Sequence, residues 1–263
     1  MRLLFIGDIV GRPGRKAVVT LLPELKRQYR PDVIVANGEN AAGGFGLTMG
    51  AAEELLSCGI ELITMGNHTW DNKEIFTVLS EHSEVIRPAN YPPGAPGNGY
   101  GIIKVGGASG VKIAVTNLNG RVFMDQADDP FRAFDDIYDE IRASVNALIV
   151  DFHAEATSEK VAFGWFADGR ATAVFGTHTH VATADDRILP KGTAYITDVG
   201  MTGPLNSVLG IDPDIIIRRF RSQLPERFEI AKGPVGFNGV IVDFDEHTGH
   251  ALSIERVSAI FEN

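Results

Sequence analysis

Residues 2–14 read RLLFIGDIVGRPG, an apolar run that leads into a Gly/Pro turn. The run over residues 2–7 predicts a buried strand, and a carboxylate follows it at Asp8. Pro13 suits the first turn of a helix, because its fixed φ fits there and its missing N–H would have no helical partner anyway. Apolar residues then recur at helical spacing, at Ala17, Leu21, Leu22 and Leu25. A strand, a turn and a helix in this order are the repeating unit of an α/β sheet protein.

The same alternation continues along the chain. Strands are predicted at 32–37, 61–65, 100–105, 111–117, 147–151, 171–175 and 194–197, and an antiparallel pair at 236–243 and 250–257. Helices are predicted at 47–58, 72–80, 130–144, 156–168 and 213–220. Residues 88–110 are rich in Pro and Gly and are predicted to form an ordered loop or hairpin region. No Gly/Ser linker divides the sequence, which favours one domain over residues 1–263.

Composition and charge exclude several classes of protein. With 263 residues the chain is long enough to bury a sizeable core. No apolar run reaches the roughly 18 residues of a membrane span, so no membrane partner is predicted. The net charge of −10 argues against long nucleic acids, which need a basic face. A small phosphorylated ligand is compatible with it, because bound metal makes one pocket positive inside an acidic protein.

The predicted location is the cytoplasm. One cysteine, Cys58, excludes an internal disulfide and suggests a reducing compartment. The chain runs from Met1 directly into a strand, so no signal peptide is predicted. The oligomeric state stays open, and a homo-oligomer is compatible with the sequence.

Five of the predicted strands end in side chains that can bind metal. These ends carry Asp8, Glu39-Asn40, Asn67-His68, His153 and His178-Thr179-His180. In α/β sheets ligands bind beyond the carboxyl ends of the strands, so five such ends on one edge would meet in one cleft. His178 and His180 form the strongest pair, since residues i and i+2 of an extended segment point to the same side. Two imidazoles side by side suit a metal ion.

Each of these residues alone also has a structural interpretation. An Asp after a strand is often a helix cap. Glu39-Asn40 before Gly43-Gly44 is compatible with a plain turn. The joint pattern is more specific, because four of the seven histidines lie just past strand ends. A metal centre is therefore the favoured interpretation.

Five motifs, taken in chain order, resemble those of the calcineurin-like metallophosphoesterases: Gly7-Asp8, Gly38-Glu39-Asn40, Gly66-Asn67-His68, the lone His153, and Gly176-Thr177-His178-Thr179-His180. The Gly-Glu-Asn and Gly-Thr-His-Thr-His variants resemble the YmdB-like branch, and the resemblance covers nearly the whole chain. It implies a four-layer α-β-β-α sandwich with mixed sheets and helices outside. It also implies a metal-dependent phosphodiesterase, with 2′,3′-cyclic nucleotides as the substrate class.

The resemblance assigns roles to eight side chains. One metal ion would take Asp8, Glu39, Asn40 and His180, and the other Glu39, Asn67, His153 and His178. Glu39 would bridge the two ions, and His68 would be the catalytic group that is not a ligand. The sequence departs from the broad family at Val10, where a histidine ligand is usual, and Asn40 would substitute for it.

These residue types suit hydrolysis of a phosphoester. Two metal ions roughly 3.5–4 Å apart hold a bridging hydroxide that attacks phosphorus. His68 would donate a proton to the leaving alkoxide or stabilise charge on the phosphoryl group. Two divalent ions and two carboxylates leave a charge of about +2, which favours an anionic substrate. The nitrogen and oxygen ligands suit Fe, Mn, Zn or Co, and the resemblance implies iron, with manganese as a substitute.

Substrate contacts are predicted at Arg12, Arg15 and Thr202. The two arginines lie near a helix start and would hold a phosphate, or form a solvated basic pair. Trp70 would stack on a base or simply pack. The function stays open between a phosphodiesterase, a phosphomonoesterase such as a nucleotidase, and a regulatory protein that binds metal with little turnover. An α/β binding protein without metal is the remaining alternative.

Overall fold

The computed structural model describes residues 1–106 and 110–262, in which two β-sheets pack face to face with six helices around them. The strands are β1 (Arg2–Ile6), β2 (Val33–Asn37), β3 (Leu62–Thr64), β4 (Val85–Ile86), β5 (Tyr100–Val105), β6 (Val111–Asn119), β7 (Ala147–His153), β8 (Ala173–Thr177), β9 (Arg187–Ile188), β10 (Ala194–Ile196), β11 (Gly203–Pro204), β12 (Val235–Phe244) and β13 (Ala251–Phe261). The helices are α1 (Gly11–Tyr29), α2 (Met49–Ser57), α3 (Ile75–Glu81), α4 (Pro130–Ile141), α5 (Thr157–Ala167) and α6 (Pro213–Ser222).

Both sheets are mixed. The first has the strand order β11-β12-β1-β2-β3-β4, with β13 paired to β12. Strands β1 to β4 are parallel, and β12 runs antiparallel to β1, with Phe5 opposite Val240. The second sheet has the order β5-β6-β7-β8-β10-β9, in which β5 and β9 are antiparallel to their neighbours. The predicted fold class of mixed sheets with helices outside is confirmed.

The alternation of side chains along β1 explains how the layers form. Leu4 and Ile6 pack into the cluster that includes buried residues of α1, α2 and α3. Leu3 and Phe5 point the other way, into the cluster between the sheets, where the Phe5 ring lies 4.8 Å from that of Phe175 on β8. A strand buried on both faces carries an uninterrupted apolar run, as residues 3–6 do. On the far side, α4 and α5 cover the second sheet through Phe134 and Phe163.

The turn after β1 brings the chain close to a neighbouring loop. Helix α1 begins at Gly11, which has a φ of 59°, and Pro13 lies in its first turn, as predicted. A Cβ on Gly7 would collide with the carbonyl of Gly200, and one on Gly14 with that of Thr202. Glycine at these positions therefore allows the close approach of the 200–202 loop.

Most predicted elements are present with shifted ends. The two-residue strands β4, β9 and β11 were not predicted, because so short a segment has no measurable periodicity. Part of the predicted 88–110 loop or hairpin region, residues 107–109, lies outside the described residues. Within the described ranges, no helix combines the length and the apolar character that crossing a membrane requires.

We expect Phe175→Ala to lower the free energy of unfolding by about 3–5 kcal/mol, because it removes a fully buried ring between the sheets and leaves a cavity. Urea denaturation followed by circular dichroism measures this. Phe123→Ala is the matched control, since Phe123 is 89% exposed and its loss should cost no more than about 0.5 kcal/mol. Equal losses for the two variants would contradict the assignment of Phe175 to the core.

Candidate metal centre

Seven polar side chains from both sheets meet beyond the carboxyl ends of the parallel strands. Asp8 follows β1, Glu39 and Asn40 follow β2, and Asn67 follows β3. From the second sheet, His153 is the last residue of β7, and His178 and His180 follow β8. We call these seven residues the ligand cluster. The structure therefore brings together the residues that the resemblance implied as ligands.

His153 lies at the centre of the ligand cluster. Its Nε2 atom is 2.9 Å from Asn67 Oδ1, 3.0 Å from Glu39 Oε1 and 3.1 Å from His178 Nδ1. A ring nitrogen carries at most one hydrogen, so it cannot satisfy three such atoms with hydrogen bonds. Glu39, His153 and His178 each offer a ligand atom within 4.8 Å of the others. This convergence of nitrogen and oxygen atoms is typical of a metal site.

Asp8 and Asn40 form the other half of the ligand cluster, next to His180. His180 Nε2 is 3.3 Å from Asn40 Oδ1 and 3.9 Å from Asp8 Oδ1. The Asp8 carboxylate is fully buried, and its Oδ1 has no hydrogen-bond partner among the described residues. A buried, unpaired carboxylate oxygen is costly unless a cation or a donor satisfies it.

Each histidine of the ligand cluster has one ring nitrogen beside an acceptor outside the cluster. His153 Nδ1 is 2.8 Å from Thr177 Oγ1, His178 Nε2 is 3.1 Å from Glu155 Oε2, and His180 Nδ1 is 3.2 Å from the Leu209 carbonyl. An N–H donated to that acceptor leaves the lone pair of the other nitrogen directed into the cluster. Asn40 behaves likewise, because its Nδ2 donates to Gly44 O at 3.0 Å and its Oδ1 faces His180.

The electrostatics of the ligand cluster favour neutral imidazoles at two of the three histidines. Burial and the neighbouring His153 lower the pKa of His178 to about 3, and burial lowers the pKa of His180. Burial also acts on His153, but Glu39, Asp8 and Asp151 outweigh it and raise the pKa of His153 to about 9. Burial opposes ionisation of Glu39, yet His153 and His68 bring its pKa to about 2. Glu39 is therefore the carboxylate that stays ionised, and it attracts positive charge into the ligand cluster, whereas burial raises the pKa values of Asp8 and Asp151.

Asp151 holds residues that contact the ligand cluster in place through hydrogen bonds, a role that the sequence did not reveal. Its Oδ1 accepts from Thr177 Oγ1 at 2.6 Å, so the Thr177 oxygen is left to accept from His153 Nδ1. Its Oδ2 accepts from Thr64 Oγ1 at 2.5 Å and from Asn37 Nδ2 at 2.9 Å. The only sequence signal for this role is a carboxylate within the apolar run of β7.

The segment that carries His178 and His180 is a turn, not an extended strand. Strand β8 ends at Thr177, and the two histidines have φ values of 88° and 65°. The prediction that i and i+2 alternation aligns their rings is therefore wrong. Residues other than Gly are uncommon at such φ values, although histidine occurs there more often than most, and the surrounding structure must hold them in this conformation.

Asp198 supplies that support. Its Oδ2 accepts from Thr179 Oγ1 at 2.6 Å and from Lys160 Nζ at 2.7 Å, and its Oδ1 accepts from Gly200 N at 2.8 Å. Asp198 and Lys160 are both buried, so this ion pair connects α5 with the histidine turn in a water-poor environment.

His68 lies beside the ligand cluster rather than within it. Its backbone N–H donates to Glu39 Oε2 at 3.1 Å, and its Nδ1 is 2.8 Å from Asp71 Oδ2. Asp71 thus orients the ring, a role that sequence reasoning missed. A Cβ on Gly66 would collide with Glu39 and His153, which explains the glycine in the Gly-Asn-His motif.

A cavity of about 380 Å³ opens next to the ligand cluster. On one side it is lined by polar residues that include Glu39, His68, His178 and His180. Its other side is mainly apolar, with Phe45, Leu209, Phe220 and Phe228. Its volume falls within the usual range for small-molecule sites.

The residues predicted to contact substrate lie away from this cavity. Arg12 is exposed on the first turn of α1. Arg15 donates to Glu54 Oε2 and to the Ala41 carbonyl, both at 2.5 Å. Thr202 is fully buried, and its hydroxyl is 3.3 Å from Asn238 O. The structure brings none of the three to the cavity lining.

The arrangement of the two sheets matches a known fold. The structure superimposes on calcineurin-like phosphoesterase YfkN of Bacillus subtilis with a TM-score of 0.58 and 12% identity, covering 100% of this chain and 90% of that one. That likeness concerns the fold alone. The chain itself belongs to the family described as YmdB-like protein, which matches residues 4–257. The family and the fold suggested by the sequence motifs are therefore confirmed.

Two relatives match along almost their whole length. The chain is 53% identical over 257 residues to the 2′,3′-cyclic-nucleotide 2′-phosphodiesterase of Bacillus subtilis strain 168, covering 98% of this chain and 96% of the relative. A solved structure described as a novel phosphatase from Mycoplasma pneumoniae has a TM-score of 0.93 and 37% identity, with coverage of 100% and 94%.

We expect Lys160→Met to lower the free energy of unfolding by about 3–5 kcal/mol, because Asp198 would stay buried without its cation. Chemical denaturation measures this. Arg218→Met is the matched control, since the exposed Arg218–Glu226 pair at 3.4 Å should contribute less than about 1 kcal/mol. If Lys160→Met costs no more stability than Arg218→Met, the buried Asp198 carboxylate does not need Lys160 for its stability.

Proposed function

We propose that this chain hydrolyses 2′,3′-cyclic nucleotides at a centre of two metal ions. At a coarser level, the family and the named relatives confirm the prediction of a phosphodiesterase among the phosphoric ester hydrolases. The family also implies metal ions. The observation that carries the proposal is the orientation of three histidines, each with one nitrogen at an outside acceptor and the other facing Glu39, Asn67, Asn40 or a second imidazole.

The donor set fits the metal ions that the family implies. The unpaired Asp8 Oδ1 and the crowded His153 Nε2 are atoms that a cation would satisfy. We assign one ion to Asp8, Glu39, Asn40 and His180, and the other to Glu39, Asn67, His153 and His178. Bound metal would lower the pKa of a bound water and withdraw charge from phosphoryl oxygens. Nitrogen and oxygen donors without thiolate suit Fe, Mn, Zn or Co, and the family resemblance favours iron, with manganese as a substitute.

The protein's own groups supply orientation and proton transfer. His68 lines the cavity and is not assigned as a ligand, so its imidazole is available to the substrate. Because Asp71 pairs with Nδ1, the doubly protonated imidazolium of His68 would donate its Nε2 proton to the leaving ribose oxygen and become neutral. That proton neutralises the alkoxide as the bond between phosphorus and oxygen breaks.

We also propose a cytoplasmic location. Cys58 is a free thiol, which supports a reducing compartment.

A phosphomonoesterase is the second candidate, because the Mycoplasma pneumoniae relative is described as a phosphatase. We expect purified protein to hydrolyse 2′,3′-cyclic AMP with a higher kcat/KM than 3′-AMP, both measured by chromatography of the products. A clear preference for 3′-AMP would overturn the diesterase proposal and favour the monoesterase.

We expect His68→Ala to lower kcat by about 10²- to 10⁴-fold, which is the usual contribution of a general acid. Elemental analysis should find the same metal content in the variant and the wild type, about two equivalents each, since His68 is not assigned as a ligand. His247→Ala is the control, because His247 is exposed in the turn after β12 and should not affect kcat. Loss of metal would make His68 a ligand, and an unchanged kcat would show that His68 is not the general acid.

A further inference from the structure

The cavity beside the ligand cluster has a volume of about 380 Å³, which is larger than a phosphate group alone would fill. Its polar side holds the groups already assigned to metal and to proton transfer. Its apolar side comes from segments far apart in the sequence: Phe45 before α2, Leu209 before α6, Phe220 on α6, and Phe228 after it. The reaction uses none of these four residues. A wall of this kind binds the non-reacting part of a substrate.

The aromatic rings of this wall lie next to the proposed catalytic group. The Phe45 ring meets the His68 ring edge-on, with centroids 5.0 Å apart. Phe45 also lies nearly parallel to Phe228, with ring centroids 6.3 Å apart and planes at 21°. The Phe45 side chain is 38% exposed, so part of its ring is accessible to a ligand. The rings therefore form a continuous apolar surface that begins at His68.

Arg219 adds hydrogen-bond donors to the same wall. Its guanidinium lies over the Phe228 ring, 4.8 Å from the centroid. No carboxylate forms a salt bridge with it among the described residues. A planar aromatic group next to a guanidinium is complementary to a nucleobase, which has flat apolar faces and acceptor atoms at its edges.

Trp70, the sequence-based candidate for base stacking, is placed differently. It contributes to a separate cavity of about 390 Å³ that also includes Asn67 and Tyr91. Its indole packs against Phe76 and Tyr91, each at a centroid distance of 5.6 Å. Trp70 does not line the cavity that contains His68, whereas Phe45 and Phe228 do.

We propose that Phe45, Phe228 and Arg219 form the binding site for the base of the nucleotide substrate. The inference rests on the proposed function, since it places the phosphate at the ligand cluster and the base on the aromatic wall. Recognition by stacking tolerates different bases, because every base has an aromatic face. The site therefore selects nucleotides over phosphodiesters that lack a base.

The test compares a substrate that has a base with one that has none. Phe228→Ala should raise KM about 10-fold for 2′,3′-cyclic AMP, in the range that loss of one stacking contact produces. It should leave kcat/KM for glycerol 1,2-cyclic phosphate within about 2-fold, and Phe228→Tyr should restore the wild-type KM. Phe76→Ala is the control, because Phe76 lies outside the cavity and packs on Trp70.

Equal effects of Phe228→Ala on both substrates, or no effect on either, would overturn the base site while leaving the phosphodiesterase intact. A KM effect confined to Phe76→Ala would indicate that the base binds in the Trp70 cavity, and would also overturn the proposed base site. Calorimetry with 3′-AMP and with inorganic phosphate tests the site without turnover. Phe228→Ala should weaken binding of 3′-AMP and leave binding of phosphate unchanged. Because this measurement needs no turnover, failure of the wild type to hydrolyse either diester would count against the proposed function and not against the base site. If the wild type binds 3′-AMP no more tightly than phosphate, the base site is wrong.

Discussion

The Asp151 carboxylate lies where the two sheets meet beneath the ligand cluster, and it accepts hydrogen bonds from both. Thr64 and Asn37 approach it from the first sheet, and Thr177 from the second. A buried carboxylate is costly unless its lone pairs are satisfied, so the sheets must keep the alignment that provides these donors. The same alignment places the carboxyl ends of β1, β2, β3, β7 and β8 at one edge, and hence assembles the ligand cluster.

The histidine turn depends on a second buried charge. His178 and His180 have positive φ values, which are uncommon for residues other than glycine. Asp198 holds the turn through Thr179, and Lys160 balances its charge. Rigid support of this kind holds ligand atoms in place before a metal ion binds, which reduces the ordering that binding requires. Backbone strain and a buried ion pair are thus combined at the site of chemistry.

The proposed substrate follows from the contrast between the two sides of the cavity. One side offers ligands for cations and a histidine outside the ligand set, in a protein whose net charge is −10. Metal ions there would create a local positive site for a phosphate group. The other side offers Phe45, Phe228 and the Arg219 guanidinium, which has no salt bridge among the described residues. A molecule with an anionic centre and a flat aromatic group is complementary to both sides, and a nucleotide has both features.

The sequence by itself determined the alternation of strands and helices and which polar residues stand at the strand ends that meet at the candidate site. Both are local properties, since buried strands are short apolar runs and a polar residue at the end of such a run is conspicuous, as at Asp8 and His153. Only the tertiary structure decided the role of Asp151, the turn at His178, and the engagement of Arg15 and Thr202 by other partners. It also decided the cavity wall. Phe45 and Phe228 are 183 residues apart along the chain and do not differ in sequence pattern from core residues, so only folding shows that they face one another beside His68.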